Sequence, residues 1–175
     1  LIQLKDKQFK PFIHADAIQQ RISELAQVID EDYSDKKPVF IIMLKGAFLF
    51  AADLLKRVQA DCEMVFVRAN SYEGTQSTGK VKMVMPLKEN LHQKDVIIIE
   101  DIIDSGKTLH EFLPYLEEQK PASVKIATLL FKPKSLQYTI HPDYVGFEIP
   151  DAFVVGYGLD YDELGRNLPD IHQLA

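Results

Sequence analysis

The chain has 175 residues, about one domain by the usual measure of ~100–200 residues each, and its 20 basic and 26 acidic residues leave a formal net charge of −6. With 46% apolar residues, 26% charged residues, 8 glycines and 9 prolines it has the composition of a folded globule, which excludes collagen-like and low-complexity architectures. The single cysteine, Cys62, excludes an intrachain disulfide and a multi-cysteine metal site, and its acidic neighbours Asp61 and Glu63 disfavour a nucleophilic thiolate. The basic residues are scattered, without the clusters that non-specific nucleic-acid binding needs. No segment approaches the ~18 apolar residues of a membrane span, and Leu1 to Lys10 has no apolar signal-peptide core. These features predict a cytoplasmic protein that partners neither nucleic acid nor membrane.

In chain order, Ile18, Ile22, Leu25 and Ile29 form the stripe of an amphipathic helix from about Asp16 to Asp32. Val39 to Met43 reads as a buried strand, Leu44-Lys45-Gly46 as a turn, and Ala47 to Val58 as a second helix. Glu63 to Ala69 is a further strand, followed by a polar, glycine-containing loop from Asn70 to Lys80 and a short return strand from Val81 to Met85. Val96 to Ile99 is continuously apolar, as expected of a central parallel strand covered on both faces. Leu109, Phe112, Leu113 and Leu116 mark a third helix to about Glu118, and Val124–Phe131 and Tyr144–Ile149 are the last strands. Strands alternating with helices predict an α/β fold, a doubly wound and mainly parallel sheet with helices on both faces. Ligands in such folds bind beyond the carboxyl ends of the strands, which directs attention to the residues after Met43, Ile99 and Phe131 and to the segment around Phe153.

The most informative stretch is VIIIEDIIDSGKT, Val96 to Thr108. A buried strand leads into two carboxylates, Glu100 and Asp101, and the turn Asp104-Ser105-Gly106-Lys107-Thr108 then opens a helix. A helix start offers unpaired N–H groups and a positive dipole end to a phosphate, Gly106 permits close backbone approach, and Ser105 and Thr108 add hydroxyls. A Walker A loop would need glycine where Asp101 stands, so the Gly106-Lys107-Thr108 tail is no P-loop. An N-cap alone explains Asp104 but not acids at the end of a buried strand, where an unpaired carboxylate is costly. Paired acids beside a phosphate cradle fit a phosphosugar, because carboxylates accept hydrogen bonds from vicinal hydroxyls or hold Mg²⁺.

This stretch resembles the 5-phosphoribosyl 1-pyrophosphate (PRPP) signature of type I phosphoribosyltransferases. The segments MLKG (Met43–Gly46), NSY (Asn70–Tyr72) with STG (Ser77–Gly79), LFK (Leu130–Lys132) and GFEIPDAFVVGYGLDY (Gly146–Tyr161) resemble the hypoxanthine(-guanine) branch of that family. The resemblance implies a single phosphoribosyltransferase domain over residues 1–175, with a mobile lid at about 70–80 carrying Ser71 and Tyr72. A small hood, formed by late residues at about 144–170, would bind the base. It also implies that Glu100, Asp101, Asp104, Ser105, Gly106, Lys107 and Thr108 bind PRPP. Lys45, Gly46 and Arg166 would bind pyrophosphate, with a cis peptide at Leu44–Lys45. Lys132, Phe153, Val154 and Asp160 would form the purine side, where Phe153 stacks on the base, the Val154 backbone reads its edge and Lys132 donates to the 6-oxo oxygen.

The implied cofactor is Mg²⁺, held by Glu100 and Asp101 with Asp160 serving a second ion on the pyrophosphate side, and the implied catalytic residue is Asp104, facing purine N7. The expected reaction joins the phosphoribosyl group of PRPP to N9 of hypoxanthine or guanine, in a homodimer or homotetramer. Two alternatives stay open at this point: xanthine as the main acceptor, and a PRPP-sensing regulator on the same fold.

Overall fold

The computed structural model describes residues 1–70, 82–85 and 87–175. The expected lid residues Ser71 and Tyr72 lie outside the described residues. In chain order the elements are β1 (Ile2–Leu4), β2 (Lys7–Ile13), α1 (Ala15–Asp32), β3 (Val39–Leu44), α2 (Phe48–Leu55), β4 (Glu63–Asn70) and β5 (Lys82–Met85), followed by β6 (Asp95–Ile103), α3 (Lys107–Glu117), β7 (Ser123–Phe131), β8 (Tyr144–Glu148), β9 (Val154–Val155) and β10 (Ile171–Leu174). Among the described residues, no helix is long and apolar enough to cross a membrane.

The main sheet has the order β5-β4-β3-β6-β7-β8. Strands β4, β3, β6, β7 and β8 run parallel, and β5 closes one edge antiparallel to β4. Helices cover both faces, as expected. Phe40 and Ile42 of β3 and Ile97 and Ile99 of β6 pack with Ile18, Ile22 and Ile29 of α1 and Phe50 and Leu54 of α2. The alternate residues Val39, Ile41, Val96 and Ile98 pack with Leu109, Phe112 and Leu116 of α3. This period-two partition between two apolar layers is what makes both strands continuously hydrophobic in sequence.

The structure adds two features. Strand β6 does not end at Ile99 but runs through Glu100 and Asp101 to Ile103, held by its pairing with β7 as far as Ile103 opposite Phe131. The acids therefore sit on the strand itself. Second, the hood is not built from late residues alone. It is an antiparallel sheet of order β1-β2-β10-β9, so the first thirteen residues form half of it. Strand β2 pairs with β10 from the far end of the chain, and in the sequence KQFKPFI only Phe9 is buried. One buried residue per strand leaves no readable alternation.

Phe9 is fully buried and lies against the rings of Phe153 and Tyr161, with centroids 6.1 and 6.2 Å away. Truncating a buried aromatic leaves a cavity in a small antiparallel sheet. Phe9→Ala is expected to lower unfolding free energy by about 3 kcal/mol, read as a lower urea midpoint with an unchanged slope.

Candidate active site

The carboxyl ends of β3, β6 and β7 meet at one side of the main sheet, and each delivers charge or close backbone there. After β3 the Leu44–Lys45 peptide is cis, as the resemblance implies. Gly46 follows against the acid pair, and a Cβ at this position would fall on the Asp101 carboxylate. Met43, Leu44, Gly46, Glu100, Asp101 and Thr108 line a cavity of about 150 Å³. It adjoins a larger cleft of about 240 Å³ lined by residues 100–109, with Glu100, Asp101 and Thr108 shared by both.

Glu100 is buried and Asp101 half-buried. Burial pushes the Glu100 carboxyl well above its ordinary range, and the neighbouring Asp101 charge pushes the same way. Burial also raises Asp101, against the hydrogen bonds it accepts and the positive charge of Arg166; one of those bonds comes from the Ile102 N–H at 2.9 Å. Among the described residues no group of three or more His, Cys, Asp and Glu gathers as a self-contained metal site. Two desolvated, mutually repelling carboxylates opening on a cleft nevertheless fit a hard divalent cation that draws its remaining oxygen ligands from a substrate or water.

The phosphate turn is anchored from outside. The Ser105 carbonyl accepts the N–H groups of Gln137 and Tyr138 at 2.9 and 3.2 Å, and Ser105 Oγ accepts the Lys107 N–H at 3.3 Å. Gly106 has φ of 81°, and a Cβ there would lie 2.9 Å from Ile140 Cγ1, so glycine serves both the turn and the close packing. The N-cap residue of α3, Gly106, has no side chain to cap it, and Ser105 reaches only the Lys107 amide. The first amides and positive dipole end of α3 open on the cleft that Ser105 to Leu109 line.

Lys132 follows β7 and is buried, with its ammonium 2.7 Å from Asp104 Oδ2 and 3.4 Å from Asp151 Oδ1. Its backbone N–H donates to the Ile103 carbonyl at 2.9 Å, and the Ile149 N–H donates to Phe131 at 2.8 Å. The chain approaching Phe153 is thereby laid alongside Lys132. Phe153 itself is 45% exposed and is braced edge-on by Tyr161, 5.9 Å away at 87°, and from behind by Phe9. Val154 is buried in β9, opposite Gln173 of β10.

Asp160 and Arg166 form an ion pair at 2.8 Å, and Arg166 Nη1 donates to the Gly158 carbonyl at 2.7 Å. Gly158 packs on Gly46 so closely that a Cβ would fall on the Gly46 carbonyl oxygen, which brings this pair beside Lys45. Every expected site residue among the described ones therefore belongs to one connected region. Phe9, Tyr161 and Glu163 join it without having been singled out. The sequence carries no local signal for Phe9, whereas Tyr161 and Glu163 stand within six residues of Arg166, and that proximity is their one signal.

The loop bearing Asp160 is held from below by Tyr157. Its hydroxyl donates to Asp53 Oδ2 at 2.5 Å, and Gln19 donates to the same oxygen at 2.8 Å, while Lys56 pairs with Oδ1 at 2.8 Å. Burial works to raise the Asp53 carboxyl, but the bonds from Lys56, Tyr157 and Gln19 outweigh it and hold the group at about 2. A depressed carboxyl means that the unfolded chain binds more protons, so the stabilisation is complete above about pH 4 and is lost as the pH falls toward 2. Asp53→Asn is expected to cost about 2 kcal/mol at pH 7 and to flatten the acid limb between about pH 4 and 2, measured by urea unfolding across that range.

Comparison with known proteins agrees with this geometry. The chain is 46% identical over 163 residues to the hypoxanthine-guanine phosphoribosyltransferase of Bacillus subtilis, covering 93% of this chain and 91% of that one. It is equally 46% identical to the bifunctional protein TilS/HprT of Listeria innocua, of whose length it spans 25%. A crystal structure of a hypoxanthine-guanine phosphoribosyltransferase from Bacillus anthracis superposes with a TM-score of 0.89 at 40% identity, covering 97% of this chain and 98% of that one. The phosphoribosyl transferase domain family matches residues 13–162, and with the acid pair, the phosphate turn and the covered parallel sheet in place, the chain belongs to that family.

Proposed function

We propose that this protein transfers the 5-phosphoribosyl group of PRPP to N9 of hypoxanthine or guanine, yielding the nucleoside monophosphate and pyrophosphate; the names of its relatives give them as hypoxanthine-guanine phosphoribosyltransferases. The observation that carries this reading is the contact of Lys132 with Asp104 at 2.7 Å. It ties a buried ammonium, suited to a 6-oxo oxygen, to the same turn that forms the phosphate cradle. An adenine amino group would meet that ammonium donor to donor, which disfavours adenine.

In this reading the C1–O bond of PRPP breaks as the C1–N9 bond forms on the opposite face of the ribose. Ser105, Gly106, Lys107 and Thr108 bind the 5-phosphate at the start of α3. Glu100 and Asp101 accept the ribose hydroxyls and, with Asp160 on the pyrophosphate side, would hold Mg²⁺, which when bound offsets negative charge on the leaving group. Lys45, Gly46 and Arg166 receive that leaving group. Asp104 takes the imidazole proton that the purine gives up, and Lys132 offsets charge spreading to the 6-oxo oxygen. Phe153 offers the exposed ring face on which the purine stacks, and the Val154 backbone meets the base edge. Ser71 and Tyr72 would close over the reacting centre, since a carbocation-like ribose needs protection from water.

Assembly into a dimer or tetramer belongs to the same proposal. It is supported by the exposed side chains of Phe48, Met64 and Phe66, which with Ile42, Ala51 and Leu55 line one apolar depression. A cytoplasmic location is also part of it.

The test is product formation from PRPP and Mg²⁺ with hypoxanthine, guanine, xanthine and adenine in separate reactions. Turnover of hypoxanthine or guanine with adenine rejected is the expected result. A dominant xanthine rate would reassign the acceptor, and PRPP binding without turnover of any base would indicate a sensor. Asp104→Asn is expected to lower kcat roughly 10²- to 10⁴-fold, the usual contribution of a positioned general base, with KM for PRPP changed far less.

A further inference from the structure

The turn after Asp160 carries a side chain for which the reaction as described has no use. Tyr161 and Leu164 each donate an N–H to the other's carbonyl, at 2.9 and 3.1 Å, across a two-residue turn. Both central residues, Asp162 and Glu163, have left-handed backbones with φ of 50° and 67°. Tight turns of this kind favour Asn-Gly or Asp-Gly, because a Cβ disfavours the left-handed region. Glycine would suit the second position, and glutamate stands there instead.

What the glutamate does is visible in its contacts. Its carboxylate reaches Lys45 Nζ at 2.6 Å and lies 3.7 Å from Arg166 Nε, the two cations assigned above to pyrophosphate. Arg166 Nε is a buried donor without a hydrogen-bond partner among the described residues. The Glu163 N–H is tied to Asp160 Oδ2 at 2.8 Å, which aims the side chain at both cations. The side chain is 65% exposed, so it can leave them without disturbing the core. Its neighbour Asp162 pairs instead with Lys5 at 2.8 Å.

We propose that Glu163 is an internal substitute for the leaving group, competing with pyrophosphate for Lys45 and Arg166. In the empty site it pairs with Lys45 and stands against the Nε of Arg166, whose Nη2 is already matched to Asp160. It yields them when PRPP enters, and after transfer it returns and hastens pyrophosphate release. The inference rests on the assignment of Lys45 and Arg166 to the pyrophosphate.

The experiment is calorimetric titration of pyrophosphate, with Mg²⁺ present, into the whole chain and into Glu163→Gln, Glu163→Gly, Asp162→Asn and Lys45→Ala. Both Glu163 variants are expected to bind pyrophosphate roughly three- to tenfold more tightly, the range set by one or two exposed ion pairs. Glu163→Gly, which suits the turn, should also keep or raise the thermal midpoint. Asp162→Asn should leave affinity unchanged, and Lys45→Ala should weaken it. Unchanged or weaker binding in both Glu163 variants overturns the inference, as does equal tightening by Asp162→Asn, which would reduce the effect to net charge. Unchanged affinity in Lys45→Ala would overturn the assignment of that cation and the inference with it. Weakened affinity there with unaltered Glu163 variants overturns the inference alone.

Discussion

A parallel strand covered on both faces can meet water only at its ends. In this protein that constraint falls on β6, whose residues Val96 to Ile99 are wholly buried between α1 and α2 on one face and α3 on the other. Polar chemistry is thereby driven to the carboxyl edge, where the strand continues into Glu100 and Asp101. The same edge receives the ends of β3 and β7, because all three strands run in register and in one direction. Gly46 abuts Asp101 and Lys132 reaches Asp104 for that reason, although 85 residues of chain lie between Gly46 and Lys132.

The charges at this edge are arranged by sign. Two carboxylates with raised affinity for protons stand at the centre, close enough to repel each other. Two cations, Lys45 and Arg166, stand on one side and share Glu163. On the other side a single ammonium, Lys132, is matched to Asp104 and Asp151. A ligand with a polyanionic leaving group, a hydroxylated ring and a carbonyl-bearing base has the complementary order of charges. Close packing at Gly46 and Gly158 makes this possible, since any side chain at either position would hold the two halves apart.

The legible parts of the molecule were those with local periodicity or contiguous chemistry. The three helices and the central strands followed from apolar spacing because each has a face or a pair of faces buried in its own sheet. The turn from Asp104 to Thr108 was legible as a helix start because its residues are consecutive and Gly106 supplies the left-handed backbone it needs. The hood was only half legible. Strand β2 contributes one buried residue, Phe9, and its partner β10 lies near the other end of the chain, so neither segment declares itself alone. Beyond its nearness to Arg166, Glu163 carries no sequence signal, because Lys45 is brought to it only by folding, across 117 intervening residues.

From residue order alone came the alternation of helices and strands, the doubly covered sheet and the acid-glycine loop. With the resemblance added came the cast of site residues from Lys45 to Arg166. These are properties of neighbours in sequence, and local burial and turn chemistry determine them. Only the tertiary structure decided that β6 carries its acids within a paired strand, that the first thirteen residues complete the hood behind Phe153, and that Lys45 and Arg166 converge on Glu163. Each of these depends on contacts between segments far apart in sequence, whose energies exist only once the sheets have closed.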